Sequence, residues 1–134
     1  MVDFGSVLFL LEIVPYFVGT IILAIATLIS FRLSRQKQSH GLFLITLGFL
    51  TNLIINGSWE LFYWLVLGGT NQALILYRQG LTANQIATTI VLTASVGEAV
   101  TTAGYVSMLS LTIYGAVQII REGAQRRAPG QAPP

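Results

Sequence analysis

The chain contains no cysteine and one histidine, and charged residues make up only 9% of its 134 positions. Each shortage excludes something. Without cysteine there can be no disulfide, no thiolate metal ligand and no cysteine nucleophile. A lone His40 cannot share a metal with a second imidazole, and its place beside a glycine after a basic stretch suits a solvated loop residue. HExxH, GxSxG, Walker-type glycine loops and dinucleotide fingerprints are all absent, so no catalytic constellation is visible and the expectation is a non-enzyme. Nothing in the sequence names a cofactor or a metal. Soluble domains carry roughly 25% charged residues, and a chain this short has too few charges to cover its surface for water.

What the chain has in quantity is hydrocarbon. Hydrophobic residues make up 54% of it, and the mean hydropathy is +0.73. Three apolar stretches stand out, about 7–31, 41–67 and 83–120. Each is long enough for the roughly 20 residues that cross about 30 Å of hydrocarbon. The first is expected to be retained rather than removed as a signal peptide: its start lacks a basic region, its apolar run is too long, and its charges follow it. Pro15 lies inside it, where membrane helices tolerate a bend. The short basic connection from Arg32 to His40 makes the first two spans antiparallel neighbours in a tight hairpin.

Gly68-Gly69-Thr70-Asn71 closes the second span with turn residues. The apolar run within residues 72–80 is too short to cross, and suits an interfacial turn of helix or a loop. From Leu81 to Ile120 lie about 40 residues without proline. As one helix they would rise about 60 Å, twice the hydrocarbon thickness, so either one end protrudes or the segment breaks near Gly97 or Gly104.

Charge sets the expected topology. Six of the seven basic residues fall in the Arg32–Lys37 stretch and in Arg121, Arg126 and Arg127. The positive-inside rule puts both groups on the cytoplasmic side, giving three crossings with the N-terminus outside and the C-terminus in the cytoplasm. The expected class is thus all-α, an integral membrane helical bundle of three transmembrane helices with an unusually long third. It forms one transmembrane domain over residues 1–127, with a disordered proline-rich tail at 128–134. A bacterial-type plasma membrane, or an internal membrane derived from it, is the expected location. The C-terminal arginines suit anionic lipid head groups, and three charges without interleaved aromatics make a poor nucleic-acid surface.

The polar residues within the spans are the candidates for function. Glu12, Glu60 and Glu98 lie one in each span, about 30, 28 and 34 Å from the cytoplasmic ends, hence at one level near the outer edge. They either mark where the helices leave lipid, beside an aromatic belt of Tyr16, Trp59, Tyr63 and Trp64, or face one another and gather a cation or proton. Asn52, Asn56 and Glu60 recur every four residues and line one helix face that does not belong in lipid. Thr20, Ser107 and Ser110 are the candidate partners of Asn52 by depth. Thr93, Gly97, Thr101 and Gly104 form a small-residue face for close helix packing, with Gly48 among the complementary positions. Two function classes follow: a non-catalytic accessory or assembly subunit of a larger membrane complex, or a small homo-oligomeric channel or transporter with a carboxylate- and amide-lined pathway. In both, the partners are the lipid bilayer and other membrane subunits or copies of the chain itself.

Overall fold

A computed structural model describes residues 4–127, and the side chains of 14–126 apart from Tyr16 and Thr70. The tail at 128–134, expected to be disordered, lies outside the described residues. In chain order the elements are α1 (Phe4–Lys37), α2 (His40–Leu65), a turn of 3-10 helix (Gly69–Asn71), α3 (Gln72–Arg78) and α4 (Ala83–Arg127). The fold is all-α, as expected. Three segments are long and apolar enough to cross a membrane: Phe17–Lys37, His40–Leu65 and Ala83–Arg126. These three apolar helices are compatible with a small membrane protein.

The element boundaries follow from local chemistry. α1 runs on through the basic stretch expected to be a loop, so the connection to α2 shrinks to Gln38 and Ser39. Charge does not break a helix: arginine, leucine, glutamine and lysine are good helix formers, and Arg35 and Lys37 in the last turn complement its negative end. The Arg35 guanidinium also lies 5.5 Å from the centre of the Phe31 ring one turn earlier. Gln38 stops the helix in a left-handed conformation, φ 46°. The Ser39 N–H then reaches back to the Ser34 carbonyl at 3.3 Å, which satisfies one of the terminal acceptors.

The segment after the glycine pair is a two-turn helix, α3. It ends in a Schellman arrangement at Gly80, φ 84°. There the Gly80 N–H bonds the Tyr77 carbonyl at 3.0 Å, and the Leu81 N–H bonds that of Leu76 at 3.3 Å. α4 opens with a capping box. The Thr82 N–H donates to Gln85 Oε1 at 2.9 Å, and the Gln85 N–H to Thr82 Oγ1 at 3.5 Å. From there α4 continues for 45 residues without a break at Gly97 or Gly104.

The burial pattern is the reverse of a water-soluble core. Among the described residues no apolar side chain is buried, whereas Thr27, Ser34, Ser39, Thr46, Asn52 and Gln72 are. Leu28, Leu65 and Ile120 are each more than two-thirds exposed, at 69%, 79% and 71%. In water such a surface would collapse or aggregate; among lipid chains it costs nothing, and small or polar groups turn inward instead. The Thr27, Ser34 and Thr46 hydroxyls satisfy themselves on their own helix. Thr27 Oγ1 donates to the Leu23 carbonyl at 2.8 Å and Thr46 Oγ1 to that of Leu42 at 2.9 Å.

The chain divides into two compact units, one built on residues up to 50 and from 108, the other on residues 51–107. In the first, α2 and α4 pack antiparallel through glycine. A Cβ on Gly48 would lie 3.0 Å from the Met108 carbonyl oxygen and 3.1 Å from Leu111 Cβ. One on Gly115 would lie 2.8 Å from Ile45 Cγ1, and one on Gly41 would meet the Gly115 carbonyl. The backbones touch because no side chain separates them, which is how helices gain packing energy where lipid removes the hydrophobic drive.

Candidate functional site

Asn52, Asn56 and Glu60 share one face of α2, since four residues advance a helix by little more than one turn. Asn52 is buried, with 3% of its surface exposed. The Asn56 side-chain amide, one turn on, donates to Asn52 Oδ1. Across from the pair stands Gly104 of α4, where a Cβ would sit 2.7 Å from both Asn52 Oδ1 and Asn56 Nδ2. Gly104 thus makes the space that lets two amides pack against a helix backbone. Asn56 Oδ1 is buried and accepts no hydrogen bond. An orphaned acceptor of this kind costs about 1–3 kcal/mol.

Trp59 continues the contact one turn further. A Cβ on Gly97 would lie 2.9 Å from Trp59 Nε1, so Gly97 seats the indole. Trp59 also stacks obliquely on Phe62 at 5.9 Å, and Tyr63 meets Trp64 edge-on at 5.7 Å. Asn52, Asn56, Gly97 and Gly104, read separately as a polar stripe and a small-residue stripe, are therefore one packing surface. Thr93 belongs to it in a different way. Its Oγ1 accepts from Gln72 Nε2 at 3.0 Å and donates to the Thr89 carbonyl at 2.9 Å, fastening α3 to α4. Gln72, 6% exposed, was not anticipated. Its one signal is a glutamine standing at the head of an apolar run. Thr101 is half-buried.

Of the described carboxylates, Glu60 shares the α2 face of Asn52 and Asn56. Glu60 is half-buried on α2 and has a polar or electrostatic partner, and Glu98 is exposed on α4. Glu12 lies within α1, but its side chain falls outside the described residues. Among the described residues no three His, Asp or Glu side chains are grouped so as to hold a metal ion.

A second polar cluster, which the sequence reading missed, joins α4 to the start of α2. Ser39 Oγ donates to Glu122 Oε2 at 2.7 Å while accepting the Leu42 N–H at 3.3 Å, and the Gly41 N–H donates to Glu122 Oε1 at 3.2 Å. Ser39 is the N-cap of α2, and Glu122 adds a carboxylate to the same positive helix end. Glu122 lies past Ile120, where the apolar run of α4 stops. The Ser39 hydroxyl holds its carboxyl below the ordinary value of 4.5, with smaller help from the Gly41 and His40 N–H groups and the His40 charge; partial desolvation opposes them. Comparison with family models, with characterised proteins and with solved structures finds no match to the chain.

Proposed function

We propose that the chain is a non-catalytic accessory or assembly subunit of a larger membrane complex. The observation that carries this is the use made of the polar face of α2. Asn52 and Asn56 are packed against the backbone of α4 at Gly104, with no room for even a methyl group between them. Polar groups placed this way act as interhelical glue, worth roughly 0.6–2 kcal/mol each. The basic ends of α1 and α4 support a cytoplasmic placement for both.

The alternative, a homo-oligomeric channel or transporter, is favoured by one feature. Asn56 Oδ1 is a buried acceptor without a donor, as a group that meets a passing proton donor or cation would be. Native purification in mild detergent with mass determination of the intact assembly separates the two. Co-purification with other polypeptides at fixed stoichiometry, and no ion flux from the isolated chain in liposomes, is the expected result. A symmetric homo-oligomer whose flux disappears in Glu60→Gln without loss of assembly would replace it with the channel.

A further inference from the structure

Where α1 stops and α2 begins, the chain gathers most of its positive charge. Residues 31–41 and 117–127 hold six of the seven basic residues, and the one acid among them is Glu122. Both stretches belong to the unit built on residues up to 50 and from 108. Arg32, Arg35 and Lys37 of α1 and Arg121 and Arg126 of α4 are exposed. Glu122 is engaged inward, with one carboxylate oxygen accepting from Ser39 Oγ and the other from the Gly41 N–H.

Those two bonds do more than cap α2. They hold the last turns of α4 against the short connection that follows α1. Lys37 is two residues from Ser39, at most about 7 Å along the chain, and Arg121 is the neighbour of Glu122. The close approach of α2 to α4 at Gly41 and Gly115 keeps them in register. The basic ends of α1 and α4 therefore make one surface rather than two, and the acid that could have neutralised it is taken up by the cap.

The surroundings say what such a surface meets. Among these cations and just inside them stand Phe31, Leu33, Val117 and Ile120, all exposed. In a bilayer a cationic rim beside an apolar girdle falls at the level of the phosphate groups, with the long side chains reaching outward to them. Guanidinium groups grip two phosphate oxygens at once. An acidic protein or a nucleic acid would need the rim clear of the very lipid to which the girdle ties it.

We propose that the ends of α1 and α4, joined by the Ser39–Glu122 contact, form a single site for the phosphate head groups of anionic phospholipids and select them over zwitterionic ones. The cap on α2 thereby becomes part of lipid selection, in an accessory subunit and in a channel alike.

The test uses the full-length chain in phosphatidylcholine vesicles with a trace of lipid carrying a nitroxide on its acyl chain, either phosphatidylglycerol or phosphatidylcholine. A fluorophore on Gln36→Cys reports from α1, one on Gln125→Cys from α4, and one on Gln79→Cys from the 51–107 unit as the control. Labelled phosphatidylglycerol is expected to be enriched over labelled phosphatidylcholine about tenfold at positions 36 and 125 and not at 79. Arg121→Gln, a change on α4, is expected to lower the enrichment about fivefold at position 36 as well as at 125. Glu122→Ala removes a negative charge from the surface and is nevertheless expected to lower the enrichment, as is Ser39→Ala, which changes no charge. Equal quenching by the two lipids, an enrichment that rises in Glu122→Ala, or a loss in Arg121→Gln confined to position 125 would each overturn the inference. Arg121 lies outside the cap, so its variant decides the matter even where Glu122→Ala does not fold. Capture of a single-stranded oligonucleotide by the chain in plain phosphatidylcholine vesicles, without lipid enrichment, would assign the surface to nucleic acid instead.

Discussion

Gly104 shows at a single residue how this chain trades side chains for contact. In a helix interior glycine costs about 1 kcal/mol relative to alanine, yet here it admits the Asn52–Asn56 amides against the α4 backbone. Gly104→Ala removes the backbone cost but drives a methyl into both amides. The net effect is expected to be a loss of about 1–3 kcal/mol, read as a lower unfolding midpoint in detergent. Gly97→Ala, which intrudes on the Trp59 indole instead, is expected to shift tryptophan fluorescence as well, a signal that Gly104→Ala leaves alone. The four-residue spacing of Asn52 and Asn56 was legible in the sequence because a helix imposes its period on it. Their partner was not, because nothing local to α2 says which glycine, some fifty residues on, will face it. The opposite case is Gln38, held at φ 46° where glycine is at home. Gln38→Gly is expected to stabilise the chain by about 0.5–1 kcal/mol in the same measurement.

At the scale of elements, the helix ends carry information that hydropathy does not. The basic stretch after Phe31 reads as a loop only if charge is taken for irregularity; nothing there forbids a helix, and α1 uses it to finish its last turn. Thr82-Ala83-Asn84-Gln85 spells a capping box, and α4 starts where it does for that reason. Thr82→Ala is expected to cost about 1 kcal/mol and to speed amide exchange in the first turn of α4 while leaving its remainder protected. The start of α2 is capped from two sides, by Ser39 next to it and by Glu122 from another helix. Neither was read from the sequence, where Ser39 stands in the basic connection, and the second is visible only in three dimensions. Folding favours the charged form of Glu122, so its contribution is complete above the ordinary value of about 4.5 and is lost as pH falls through its lower folded value. Unfolding midpoints measured across that window are expected to drop for the natural chain and to drop less for Glu122→Gln.

For the molecule as a whole the determining quantity is the length of α4. Its 45 residues rise about 67 Å, and even a 40° tilt leaves about 50 Å, well beyond the hydrocarbon. One end must therefore stand outside the lipid. With Arg121 at the cytoplasmic edge, about 20 residues use up the bilayer and reach the neighbourhood of Thr101. The part from Ala83 to about Glu98 then lies beyond the outer face, exposing Leu92 and Val96, at 61% and 49%, to a medium that does not favour them. Were Ala83 placed at the outer edge instead, Arg121 and its neighbours would extend far into the cytoplasm with Ile113 and Ile120 bare. The absence of cysteine makes this decidable, because every labelled thiol is an introduced one. Single cysteines replacing Gln79, Leu92 and Val96 are expected to react with a membrane-impermeant maleimide from outside. Those replacing Val106 and Ile113 are expected to resist it from both sides, and Gln125→Cys to react only after permeabilisation. Labelling of Gln125→Cys from outside would invert the topology. Protection of Leu92→Cys together with reaction of Ile113→Cys from the inside would slide α4 by some twenty residues and put Glu98 within the lipid, where its unpaired charge would need a partner most.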